Sequence, residues 1–196
     1  MDVRPVILES SRVRMEPLEA RHIDDLTEFA FKDGVWQWTA NIVNARDDLQ
    51  RYVDRALEEQ ARGVSLPFVT VDRESASVVG STRFGNIDRE NRKAEIGWTW
   101  VDPAWQRTYI NTEAKLLMLT HAFETWKCIR VELKTDALNA RSRAAIRRIG
   151  ATEEGILRNH MITESGRFRD TVYFSIVENE WPEVKNNLTA MLGQYE

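Results

Sequence analysis

Two stretches of this chain carry polar residues at places where main-chain N–H groups lack helical partners. The first, Asp102-Pro103-Ala104-Trp105-Gln106-Arg107-Thr108-Tyr109-Ile110-Asn111, leads from an alternating apolar run into the most regular helical pattern of the sequence. The first N–H groups of a helix are unpaired and lie at the positive end of its dipole, so this link can hold a phosphate. Read locally, the same residues make an ordinary strand-to-helix loop with Asn111 or Thr112 as N-cap. The second stretch, Asn139-Ala140-Arg141-Ser142, falls where a strand ends and a helix begins. On local grounds it is an N-cap with a serine in the first turn. Arg141, Arg143, Arg147 and Arg148 then crowd positive charge onto one short helix, either as a solvated face or, near its start, as a partner for a phosphate. Trp36 and Trp38, flanked by Gly34 and Thr39, are either core or the wall of a ligand pocket. The three histidines, His22, His121 and His160, show no metal-ligand spacing, and Cys128 stands alone, so no metal site is expected.

The elements that must position these residues follow from hydrophobic periodicity. Residues 13–17 alternate apolar and charged as a short strand, and helical spacing follows from His22 and again over 47–60, where Gly63 stops it. Runs at 66–71, 78–84 and 94–101 predict an antiparallel meander, joined by polar turns. The strong helix spans 112–126, with a strand at 128–133, a helix at 140–149 closed by Gly150, and a long hairpin over 155–178. Trp181-Pro182-Glu183 opens a short terminal helix. The expected fold is therefore α/β (α+β), a mixed and mostly antiparallel sheet of about seven strands with flanking helices. The β-α-β unit within it sets the strands near 96 and 131 side by side and parallel. Ligands in such sheets collect beyond the carboxyl ends of the strands, which here means residues 100–112.

The chain has 196 residues, 42% of them hydrophobic and 30% charged, with a net charge of -4, which fits one domain over 1–196 and one soluble core. That charge offers no basic field for nucleic acid. No apolar run approaches a membrane span, and the N-terminal residues lack the apolar stretch of a signal peptide. A lone cysteine excludes an internal disulfide framework, so a cytoplasmic setting is expected.

The stretches AEIGWTWVDPAWQ, NTEAKLLMLTHAFE and RVELKTDALNARSRAAIRRIGATEEGILR resemble the central region of the GCN5-related N-acetyltransferase (GNAT) superfamily. The similarity runs from about Arg12 to Val177 and is nearest to the branch of ribosomal-protein N-terminal acetyltransferases of the RimJ and RimL type. The resemblance implies direct transfer of an acetyl group from acetyl-CoA to a primary amine, on a protein N-terminus or a small molecule. It implies that Trp100 and Val101 hold the pantetheine arm through their backbone and that main-chain N–H groups of Arg107, Thr108, Tyr109, Ile110, Asn111 and Thr112 wrap the pyrophosphate. Asn139 then bonds the pantetheine, Ser142 protonates the departing thiolate, and Arg141 or Arg143 meets the 3′-phosphate. The family loop carries small residues where this chain has Tyr109 and Asn111, and a Tyr does not adopt the positive φ that glycine allows there. This departure keeps open an alternative, a non-catalytic acyl-CoA-binding or regulatory module with a degenerate loop. The amine must lose a proton before attack, which Glu95 or His160 could remove through water. Glu95 is otherwise a cross-strand partner for an arginine. The identity of the acceptor and the oligomeric state, a homodimer included, are open at this point.

Overall fold

The computed structural model describes residues 1–195. Val13 and Met15 point inward from β2 (Val13–Pro17), as their alternation predicts, and β2 also pairs with a two-residue β1 (Leu8–Glu9) that no pattern announced. Helix α1 (Ile23–Ala30) buries Ile23, Leu26, Phe29 and Ala30, and α2 (Arg46–Ala61) buries Leu49, Tyr52, Val53 and Ala56. The Asp48 carboxylate accepts the N–H groups of Asn44 and Ala45 and so closes the start of α2. Strands β3 (Leu66–Asp72), β4 (Ser77–Asp88) and β5 (Lys93–Val101) form the expected antiparallel meander, with β4 continuing four residues past its apolar run.

Helix α3 (Tyr109–Thr120) starts three residues earlier than its periodicity indicated and ends in a wide, π-type turn at His121–Thr125. Its N-cap is Thr108, whose hydroxyl accepts from the Ile110 N–H at 3.3 Å, and neither Asn111 nor Thr112. The correction has a local cause, since an extended threonine directly before the helix is also among the preferred N-caps. Next come β6 (Arg130–Asp136), α4 (Ala140–Arg148), β7 (Thr152–Ile162), β8 (Phe168–Val177) and α5 (Trp181–Leu192). Gly150 ends α4 with φ +98°.

The described residues form one eight-stranded sheet in the order β1-β2-β3-β4-β5-β6-β8-β7, one strand more than expected, because β1 was too short to read. All pairs are antiparallel except β5 with β6. One face packs on α3, α4 and α5 through Ile96, Met118, Val131, Ile146, Phe174 and Leu188. The other packs on α1 and α2 through Leu26, Phe29, Leu49, Val53, Val69 and Trp100.

The parallel pairing of β5 and β6 lasts three positions, Lys93 with Arg130 to Glu95 with Glu132, and then the strands part. A bulge in β5 accompanies the parting: its register against β4 slips between Ser81 and Arg83, and Trp98 takes the left-handed φ of +50°. The bulge changes which face each side chain meets. Ala94 and Ile96 belong to the α3 and α5 side, whereas Trp98 and Trp100 belong to the α1 and α2 side.

Candidate active site

The parted strands leave a cavity of about 750 Å³ that opens to both faces of the sheet. From Ile96 onward the edge of β5 has no β6 partner, so its main-chain groups stand ready for an extended ligand.

On the α3 and α4 side the cavity meets two helix starts. Arg107, Thr108 and Asn111 line it from the first, and Asn139, Arg141 and Ser142 from the second. The left-handed residue of the loop is Arg107, φ +65°, and not Tyr109, which lies within α3. The strain anticipated for Tyr109 is thus absent. Its ring turns away from the cavity, against Trp105 and Tyr195 and under the Arg12 guanidinium at 4.8 Å, and its hydroxyl donates to Asp72 Oδ1 at 2.7 Å. Burial and the bond to Asp72 push that phenol up to about 12. Ile110 and Thr112 are buried beside it, so these three positions face the cavity with main chain at most.

Gln106 ties the two helix starts together. Its amide donates to the Val101 carbonyl at 3.2 Å and its oxygen accepts from Arg141 at 2.8 Å. Arg148 donates to the Thr112 hydroxyl at 3.1 Å. Arg143 and Arg147 instead pair with Glu153, which removes Arg143 from the free cations of this side. The Asn139 side-chain oxygen accepts the Ser142 N–H at 3.0 Å, the N-cap expected on local grounds, and Ser142 lines the cavity.

Lys115 enters from the second turn of α3, four residues after Asn111 and on the same stripe. Only 5% of its surface is exposed, and its ammonium donates to Thr99 at 2.9 Å and Thr82 at 3.4 Å, with no carboxylate in reach among the described residues. Burial lowers its pKa to about 7.

The α1 and α2 side is different in kind. Trp36, Tyr52 and Trp100 form an aromatic cluster with centroids 4.9–6.4 Å apart, and Trp98 lies over the Arg83 guanidinium at 4.3 Å. Opposite them, Glu95 accepts from Asn86 at 2.6 Å and from Lys134 at 2.9 Å. The expected cross-strand partner is present but is a lysine. Burial opposes charge on Lys134, yet Glu95 and Glu132 hold its pKa above the usual value. The Lys134 ammonium lies 4.5 Å from the Tyr173 ring centre, and the Tyr173 hydroxyl is 3.3 Å from His160 Nε2. Glu95 and His160 therefore border one compartment, at opposite ends of a four-residue chain.

A roof spans this side. Glu164, at the tip of the β7–β8 hairpin, accepts from the Ile42 N–H at 2.6 Å and the Asn41 amide at 3.0 Å, and its own N–H donates to the Ala40 carbonyl. The Trp36 and Trp38 link and the hairpin tip are thereby closed over the cavity.

Sequence reasoning missed Lys115, Lys134, Arg169 and Thr171. Lys115 had a signal: Ala114, Met118 and Leu119 are buried around it, so its helix has no solvent face at that position. The others depend on the order of β6, β8 and β7, which periodicity does not reveal. His22 and Cys128 do not line the cavity. His22 Nδ1 accepts the Glu19 N–H, and burial pushes the Cys128 thiol up to about 11.

A split mixed sheet with helix starts at the split is the architecture of an acyltransferase domain. Residues 12–152 match the acetyltransferase (GNAT) domain, and the chain belongs to that family. A Brucella melitensis protein described as a GCN5-related N-acetyltransferase shares 31% identity and superposes with a TM-score of 0.89 over 96% of this chain and 86% of its own. The Bacillus licheniformis uncharacterized N-acetyltransferase p20 is 26% identical over 89% of this chain and 97% of its own. The Bacillus subtilis (strain 168) protein YdaF, which carries the provisional name ribosomal N-acetyltransferase, is 37% identical over 54% of this chain. That match spans 56% of YdaF. Mycobacterium smegmatis RimJ, solved with CoA-disulfide, shares the fold at a TM-score of 0.79 and 23% identity, covering 96% of each chain.

Proposed function

We propose that the whole chain, 1–196, acts as one N-acetyltransferase domain that passes an acetyl group from acetyl-CoA directly to a primary amine. The observation that carries this reading is the cavity through the split sheet, with phosphate-type donors on one face and proton-accepting groups on the other. Acetyl-CoA supplies an activated thioester. The free N–H groups at the start of α3, with Arg107 and Arg141, suit its pyrophosphate and 3′-phosphate, and the unpaired edge at Trp100 and Val101 suits the amides of its pantetheine arm. Asn139 retains its amide N–H donors for the same arm. The motive for a non-catalytic alternative weakens here, since Tyr109 does not intrude on the loop.

The chain's own groups divide the work by face. Glu95 takes the ammonium proton through water, with His160 at the far end of the same chain of contacts, so that a neutral amine meets the thioester carbon. Free N–H groups on the β5 edge receive the charge that grows on the carbonyl oxygen. Ser142, on the opposite face, gives its proton to the departing thiolate. The acceptor amine, small or at a protein N-terminus, enters from the α1 and α2 side. A cytoplasmic setting belongs to the same proposal, and among the described residues no helix is long and apolar enough to cross a membrane.

Incubation with acetyl-CoA and a panel of amines, read by thiol release and by intact mass of the acceptor, tests the reading. Acceptor-dependent thiol release supports it. Acetyl-CoA binding without release, across amines and N-terminal peptides, would leave the binding-module alternative.

A further inference from the structure

The charges on the α1 and α2 side of the cavity do not balance. Lys134 is matched by Glu95, and by Glu132 at 3.3 Å, which Arg130 also holds. Asp136, buried on the same face of β6, is taken by Arg167 through one oxygen and by the Leu138 N–H through the other. That leaves Arg169. Its side chain is only 11% exposed, its one ionic contact is 3.8 Å to the already paired Asp136, and it makes no hydrogen bond to any described residue.

Arg169 is nonetheless built into the site. On β8 the residues Val172, Phe174 and Ile176 pack toward α3 and α5, so Arg169, Thr171 and Tyr173 line the other face, and the first two border the cavity. The Thr171 hydroxyl, two residues on, is also buried and without a partner. Side by side stand a guanidinium whose Nε is buried and a buried hydroxyl, neither with a hydrogen-bond partner among the described residues. Leaving such donors unpaired is costly, and an open guanidinium fork matches a carboxylate in two parallel bonds. The phosphates of a CoA ligand do not account for them, because the helix starts that suit phosphate open on the opposite face.

We propose that Arg169, with the Thr171 hydroxyl, receives a carboxylate that the acceptor carries close to its amine. The inference rests on the acetyltransferase reading above and narrows its substrate class. The acceptor is an α-amino acid, or a peptide whose N-terminal residue has an acidic side chain. The indoles of Trp36 and Trp98 supply an apolar wall across the same compartment.

Two acceptor pairs separate the sources, L-phenylalanine against phenethylamine and an Asp-initiated peptide against its Asn-initiated counterpart, each with wild type, Arg169→Met and Arg169→Lys. The expected result is that the acid member of one pair is preferred in kcat/KM by roughly 10- to 100-fold, the worth of a charged hydrogen bond. Arg169→Met should remove that preference by raising KM for the acid alone, with acetyl-CoA affinity and turnover of the neutral member unchanged, and Arg169→Lys should fall between. Equal kcat/KM within both pairs overturns the proposal, as does an equal loss for both members in Arg169→Met. If no amine is acetylated, thermal shifts of the CoA-loaded protein with L-phenylalanine and with the Asp peptide decide the point. Stabilisation of wild type but not of Arg169→Met keeps the carboxylate site while the transfer reading falls, and no stabilisation sinks both.

Discussion

At the scale of single residues, each face of the sheet holds one group whose removal is diagnostic. Ser142→Ala should lower kcat by about 100-fold, the lower end for a general acid because a thiolate leaves readily, with the acetyl-CoA Kd unchanged. Glu95→Gln should instead alter the limb of the pH–rate profile that reports amine deprotonation, and kinetics of both variants across pH check the division. Arg107 sits in the left-handed region, where glycine is at ease. Arg107→Gly should therefore keep the loop while losing about 1.5–3 kcal/mol of CoA affinity by titration calorimetry, the worth of a charged hydrogen bond. Lys115 makes a pH prediction. Its folded pKa of about 7 lies below the unfolded value of 10.5, so between them the unfolded chain binds more protons and stability rises with pH. Relative to Lys115→Met, wild type should lose about 1.4 kcal/mol per unit as pH falls from 10 toward 7, measured by chemical denaturation. A flat difference across that window would mean that Lys115 stays charged in the fold.

At the scale of elements, the roof depends on one exposed carboxylate. Glu164 accepts from Ile42 and Asn41, and those bonds hold its pKa below the usual glutamate value. A depressed carboxylate contributes above its unfolded pKa and is lost as pH falls through the folded one, so the clasp should open in acid. Glu164→Ala should raise amide hydrogen exchange over residues 36–42 and at the hairpin tip, with little change in Tm. Much of this level was legible beforehand. The meander, the parallel pair near 96 and 131 and the helix closed by Gly150 followed from alternation, spacing and punctuation, which are local. The start of α3 was placed late because Tyr109 reads as loop, and the structure shows its ring held outward by Asp72, thirty-seven residues away. That contact is tertiary, and no window of neighbouring residues contains it.

At the scale of the whole molecule, a ligand that bridges the split should act as a clamp on both halves of the sheet. Acetyl-CoA at 100 times its Kd should add about 2.7 kcal/mol of stability, visible as a higher Tm. No shift at millimolar ligand would contradict the site. Family membership was readable from the stretches around Trp100, Asn111 and Asn139. The lining of the cavity was half readable: its α3 and α4 side comes from two consecutive strand-to-helix links, and Glu95 and His160 were named on the other, whereas Lys134 and Arg169 join them from strands whose order is decided only in three dimensions.

The bulge at Trp98 has one more consequence. A strand is a two-track message, with odd and even residues addressed to opposite sides, and one extra residue shifts the addressing for everything downstream. Glu95 and Trp100 are of opposite parity yet share a compartment, and Thr99 goes to Lys115 for the same reason. A deletion of one residue at Gly97 would thus absorb the bulge and leave both indoles where they are, whereas the same strand pulled straight at full length would send both indoles to the α3 side and Thr99 to the α1 and α2 side.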